Sequence, residues 1–297
     1  MQGQRVWLAS LMSMAMLLAA CGGDSSGPVN SGGSTSNTSS TGTPTTTVPV
    51  SPPPAPSTQQ PSAQAACRPN GKFTYAGSAS QVAANNGQLA VVVVPSLPSA
   101  YSKNRNMTAP NVPASSLVQQ ASGAFTTVAS SAAASDCLGM DHGAVTEIQS
   151  VGTDVAIGRW NQAMDTDGNT YNEVQGVHYA VGTPLTLTAT SGTMACTVVA
   201  SDAVSRDNGT GATGTLGTST ATLDLATHTL NNLTLPIVMD NVLTTRTFSG
   251  AQLNGMSQVA GQFSVQSVVV GHDATQPLVA IGYSGLGIAG VVVLSCK

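Results

Sequence analysis

The carboxy-terminal part of the chain alternates between apolar and polar residues. Ala221, Leu223 and Leu225 share one face of an extended segment, and Leu233, Leu235 and Ile237 share one face of the next. A period of two marks a strand with one buried side. Eight such segments follow one another, at about 192–202, 218–226, 229–239, 242–253, 256–262, 263–271, 277–284 and 288–296, with short connections. Asn254-Gly255 is a strong hairpin signal. Pro236 cannot donate to a ladder, so it predicts a bulge or an unpaired stretch in the third segment. Eight antiparallel strands with short turns can close into an up-and-down barrel, which removes exposed edges. An open sandwich is the alternative.

The preceding part, from Cys67 to about residue 188, is less regular. Leu89 to Val94 is a short apolar run ending at Pro95. Leu117, Val118, Ala121, Phe125, Val128, Ala129 and Ala132 fall on one face at helical spacing, so 115–132 is the one predicted helix. Its Ser and Thr content works against that reading. Asp154–Trp160 and Val174–Val181 predict a strand pair, with turn chemistry in Asp165-Thr166-Asp167-Gly168-Asn169 between them. Residues 22 to 66 are rich in Ser, Thr, Gly and Pro, cannot bury a core and predict a disordered tether.

At the amino terminus, Arg5 precedes an apolar run from Trp7 to Leu18, and Leu18-Ala19-Ala20-Cys21-Gly22 follows. A basic start, a short apolar stretch and small residues describe a secretory signal peptide over residues 1–20. The cysteine makes the site resemble the bacterial lipobox. That resemblance implies cleavage before Cys21 and lipidation of its sulfur, and two or three acyl chains suffice for stable membrane anchoring. The mature chain would carry 8 Lys+Arg against 13 Asp+Glu, a formal charge of −5, because Arg5 is lost. With 7% charged residues and no basic cluster, nucleic-acid binding has no electrostatic footprint.

Four cysteines remain: Cys67, Cys137, Cys196 and Cys296. In an exported chain an even number reads as two disulfides, and their spacing fits no zinc motif. Sequence alone leaves three connectivities open. A closed barrel would make its first and last strands neighbours and let Cys196 meet Cys296, leaving Cys67 with Cys137. An open meander would put Cys196 and Cys296 at opposite edges.

His178-Tyr179-Ala180-Val181-Gly182-Thr183-Pro184 with Ser191-Gly192-Thr193 resembles the junction between handle and barrel in transferrin-binding protein B-like surface lipoproteins. Ala221 to Leu235 and Phe248-Ser249-Gly250 resemble further steps of that barrel, and the likeness spans roughly 155–297. Val269-Val270-Gly271-His272-Asp273-Ala274 departs from it, where the family has an aromatic pair followed by Gly-Pro-Asn-Ala. The resemblance implies an all-β protein: a small handle-like β domain over 67–188, then an eight-stranded antiparallel up-and-down barrel over 189–297. It also implies an outer-membrane, lipid-anchored, monomeric binding module on the surface of a Gram-negative cell. The implied partner is a host protein, or haem or haemoglobin, without bond making. Only one handle-plus-barrel unit is present, so transferrin itself is not the expected ligand. A structural envelope lipoprotein is the alternative.

No catalytic constellation stands out, and no resident cofactor is expected. Gly209/Gly211/Gly214 and Gly285/Gly287/Gly290 match a dinucleotide pattern but lie in a loop and a hairpin, without the strand–helix context. The Asp165 loop has Thr170 and Gly176 where a calcium loop needs Gly and Glu, so it reads as a turn. Gly282-Tyr283-Ser284-Gly285-Leu286 lacks the last glycine of a hydrolase elbow. His142, His178, His228 and His272 are candidate haem ligands, His142 foremost, but read more simply as surface or turn residues. Trp160 is expected to anchor a core or the handle–barrel interface.

Overall fold

The computed structural model describes residues 67–68, 71–98, 101, 105–259 and 263–297; the signal segment, Cys21 and the expected tether lie outside them. The chain is all-β. The first sheet uses β1 (Phe73–Gly77), β2 (Gln88–Ser96), β3 (Met107–Pro113), β4 (Val118–Gln119), β5 (Phe125–Ala129), β6 (Cys137–Val151), β7 (Val155–Asp165), β8 (Thr170–Tyr171) and β9 (Gly176–Gly182). Its order is β3-β2-β9-β7-β6-β5-β4, with β1 parallel to β6 and β8 beside β7. The predicted pair of strands is β7 and β9, antiparallel from Val155↔Gly182 to Trp160↔Val177.

The expected helix over 115–132 does not form. A single 3-10 turn, Ala114–Ser116, precedes the short strands β4 and β5. Gly123 sits at φ +86°, which ends any helical run. All five residues of β5 are buried, so Phe125, Val128 and Ala129 pack as a strand. Tertiary burial overrides the helical spacing here.

The second sheet holds β10 (Thr193–Ser201), β11 (Ser205–Arg206), β12 (Thr215–Leu216), β13 (Thr220–Asp224), β14 (Thr229–Met239), β15 (Val242–Phe248), β16 (Ala251–Gln252), β17 (Gly255–Val259), β18 (Phe263–Val270), β19 (Leu278–Gly285) and β20 (Ile288–Cys296). Ladders run from β17 through β18, β19, β20, β10 and β13 to β14, which carries β15 and β16 on its far side. The first and last long strands are thus neighbours. Cys196 and Cys296 are direct cross-strand partners, 4.0 Å apart at Cα, and form one disulfide; Cys67–Cys137 is the other.

The order is that of an up-and-down barrel, but the sheet is curled without full closure. Among the described residues no ladder joins β15 or β16 to β17. Asn254 does adopt φ +54° in the expected turn, yet β16 pairs with β14 and β17 with β18. Side chains bridge part of the seam instead. Ser257 Oγ accepts from the Gln252 amide at 2.8 Å, and Asn254 Oδ1 accepts from the Val269 amide at 3.0 Å. Pro236 lies where β14 passes from β13 to β12, and there its carbonyl accepts one bond, from the Gly217 amide at 2.7 Å.

The two sheets bury a shared layer. Val91 and Val93 of β2 join the core of the first sheet, while Val92 and Val94 face the second. Val292 and Leu294 of β20 fill the barrel, while Val291 and Val293 face outward into the shared layer. Strands covered on both faces need continuous apolar runs, which explains Leu89–Val94 and Val291–Leu294. Gly282 allows the close approach: a Cβ there would come within 2.3 Å of Val94 and 2.6 Å of Val92 side-chain carbons.

Candidate functional site

Two polar constellations lie where the fold concentrates charge. One is buried between the sheets and the other opens at the barrel mouth.

The buried one begins at a bulge. Register shifts between Thr146 and Gln149 on β6, and Glu147 adopts φ +58°. The bulge turns the Glu147 carboxylate to Arg159 on β7, whose Nη2 donates to it at 2.7 Å and Nε at 3.2 Å. Arg159 Nη1 donates to the carbonyls of Glu173 and Gln175 and to Ser205 Oγ. The other Glu147 oxygen accepts the Ala203 amide at 2.7 Å. Beside this pair, fully buried His178 Nδ1 bonds Asp202, whose second oxygen accepts the Val291 amide at 2.8 Å.

Burial pushes the Asp202 carboxyl up from its ordinary range, and His178 opposes that rise without cancelling it. Burial also raises Glu147, but the Arg159 hydrogen bonds and charge, with the Ala203 amide, outweigh it and leave the group below its usual range. His178 Nε2 has no partner. A serine, a histidine and an aspartate meet here, but Ser205 Oγ is bonded to Arg159, and His178 and Ser205 are both 0% exposed. The cluster ties β6, β7 and β9 to residues 202–205.

The mouth is built by the β14–β15 hairpin and the β19–β20 turn. Across β14 and β15 the inward pairs are Leu233↔Phe248, Leu235↔Arg246, Ile237↔Thr244 and Met239↔Val242. Arg246 therefore shares its face with Leu235, a buried core residue. Its Nε is out of contact with solvent and has no hydrogen-bond partner. Phe248, two residues further on the same face, stacks on Phe263 at 5.3 Å, and Phe263 stacks on Tyr283 at 6.2 Å. Around Arg246 opens a cup of about 310 Å³ walled by Ile237, Met239, Val242, Thr244, Leu286 and Ile288. Arg206 and Asp240 also line it and pair with each other. Val242, its neighbour Leu243 and Leu286 stand 63%, 62% and 52% exposed.

The residues singled out from sequence are scattered. His142 is exposed on β6 beside Asp141. His178 is in the buried cluster. His272, in the turn after β18, contacts Asp154. His228 lines a separate cavity of about 220 Å³ with Pro184, Leu185 and Leu253, at the other end of the barrel. Among the described residues the four histidines stand apart in the fold, on β6, on β9, in the turn between β13 and β14 and in the turn after β18. Asp165 is the hub of a turn: its Oδ1 accepts the Asp167 and Asn169 amides, and its Oδ2 accepts Asn169 Nδ2. Arg105 clasps Asp167. Among the described residues no three metal-ligating side chains converge. The first glycine triplet lies between β11 and β12; of the second, Gly285 ends β19, Gly287 is in the turn and Gly290 is within β20, and Ser284 lies within β19. Trp160 is in the core of the first sheet, its Nε1 donating to the Phe125 carbonyl at 2.7 Å.

Arg246, Arg206 and Asp240 escaped the sequence reading. The available signal was parity: in Val242-Leu-Thr-Thr-Arg246-Thr-Phe248, the arginine falls on the same side as the core phenylalanine. Comparison with known protein families, with curated proteins and with solved structures gives no match.

Proposed function

We propose that the protein is a lipid-anchored, non-enzymatic binding module of the outer membrane, of transferrin-binding protein B-like build, that meets its ligand at the barrel mouth. Arg246 carries this reading. A guanidinium on the core face of a strand, in a cup with no acid left to pair it, is a binding group awaiting an anion. The exposed Val242 and Leu286 at the rim add apolar contact surface, which on a monomer marks an interaction site. Cys21 supplies the anchor and residues 22–66 the reach.

Two measurements test it. Labelled palmitate should enter the wild-type chain and not Cys21→Ser. Protease shaving of intact cells should remove a carboxy-terminal tag, and pull-downs against haem, haemoglobin and serum proteins should then give a partner lost in Val242→Ser/Leu286→Ser. A tag protected until the outer membrane is broken would refute the surface reading and favour a structural role inside the envelope.

A further inference from the structure

The mouth's chemistry, taken with the binding reading above, is specific enough to name a ligand class. Arg246 projects from β15 among inward-facing apolar residues, and no acceptor reaches it among the described residues. Leaving a guanidinium half out of water and unpaired is unfavourable unless an anion joins it. Asp240 is the one carboxylate lining the cup, and it is held by Arg206, so the lining carries an uncompensated positive charge. The planar fork of arginine matches a carboxylate with two parallel hydrogen bonds.

The rest of the cup is apolar. Ile237, Met239, Val242 and Ile288 provide the walls, and methionine adapts readily to irregular aliphatic shapes. A volume of about 310 Å³ is at the lower end of small-molecule sites, which run from roughly 300 to 1,000 Å³. That size fits one short aliphatic body rather than a large ring system. The strand that bears Arg246 also lies at the seam, where among the described residues no ladder joins it to β17.

We propose that the cup binds a small amphipathic carboxylate, a medium-chain alkanoate or an acid of like shape. Its carboxylate engages Arg246, and its aliphatic tail lies over Ile237, Met239 and Ile288.

The test uses the full chain carrying Cys21→Ser, so that no attached lipid competes. Sodium decanoate, methyl decanoate and sodium acetate are titrated below the micelle range, by calorimetry and by methionine-methyl NMR. The expected result is saturable one-to-one binding of decanoate with a shifted Met239 methyl signal. Methyl decanoate should bind at least about tenfold more weakly, the value of one lost charged contact of roughly 1.4 kcal/mol. Acetate should leave the signal unmoved. Arg246→Leu should lose decanoate while melting no lower than wild type, and Arg246→Lys should keep part of the affinity.

Equal affinity for the ester, full binding by Arg246→Leu, or preference for haemin over every alkanoate would overturn the assignment. Absence of alkanoate binding, in a protein whose cell-surface partner is still lost in Val242→Ser/Leu286→Ser, would overturn the ligand class alone and leave the binding reading standing.

Discussion

The two charged regions of this molecule differ in what surrounds their arginines. Arg159, between the sheets, donates five hydrogen bonds to Glu147, to two carbonyls and to Ser205. Arg246, at the mouth, donates none among the described residues and sits in an apolar wall. Both are on strands of a β-protein with few charges, where each buried cation has to be accounted for. The first is matched from every side and closed to solvent, which suits a fastener. The second is unmatched and beside open space, which suits a receptor. Burial of charge alone would have ranked Arg159 first as a functional residue; the state of its partners reverses that order.

That contrast can be broken by substitution. The largest effect belongs to neither arginine. Replacing Cys196 and Cys296 together by Ser opens a loop of 100 residues and should cost about 4.7 kcal/mol on the loop-entropy model, read as a shift in urea midpoint. Arg159→Met should cost about 3–5 kcal/mol, because it leaves half-buried Glu147 without its cation and the Glu173 and Gln175 carbonyls without their donor; a neutral result would mean the network is ornamental. Gly282→Val should cost about 1–3 kcal/mol by forcing a side chain against Val92 and Val94.

Acid should weaken the fastener through Glu147. Its folded-state pKa lies below the ordinary value of 4.5, so its stabilising contribution is complete above that value and is lost as pH falls through the folded-state value. Asp202 has the opposite sign. Its raised pKa gives stability on the acid side that is lost as pH rises through the folded-state value. The difference between wild type and Glu147→Gln across pH 3 to 6 isolates the first contribution. The smallest effect is at the mouth: Arg246→Leu should change stability by within about 0.5 kcal/mol, or raise it. A loss comparable to that of Arg159→Met would show that Arg246 is structural after all.

Much of the fold was legible because alternation is a local signal. Leu233, Leu235 and Ile237 face inward as their spacing predicts, and the neighbouring segments fall on observed strands. The segment from 115 to 132 misled because Phe125, Val128 and Ala129 are spaced as one face of a helix, whereas the strand they form is buried on both faces, and the packing that covers it comes from strands far along the chain. The turn at Asn254 was legible, but the pairing it should have joined was not: Gln252 is drawn to Thr229 on β14 and Gly255 to Ser267 on β18. The buried network was out of reach for a similar reason. Glu147, Arg159, His178 and Asp202 span 56 residues and meet through a bulge and two ladders, none of which has a sequence signature. Arg246 was visible as an arginine, but its lack of a partner exists only in three dimensions.

The adjacency of Cys196 to Cys296 bears on how the molecule is made. β20 is not at the sheet's edge: it lies between β10 and β19 and sends side chains both into the core of its own sheet and into the shared layer. A chain emerging amino end first therefore has β10 waiting for a neighbour about a hundred residues away, with its unpaired edge exposed meanwhile. Contacts of such range make folding slow and leave unfinished chains prone to pairing with one another. An incomplete chain ending before residue 288 should resemble a zip without its slider: most of the teeth are present, and nothing holds the two sides together.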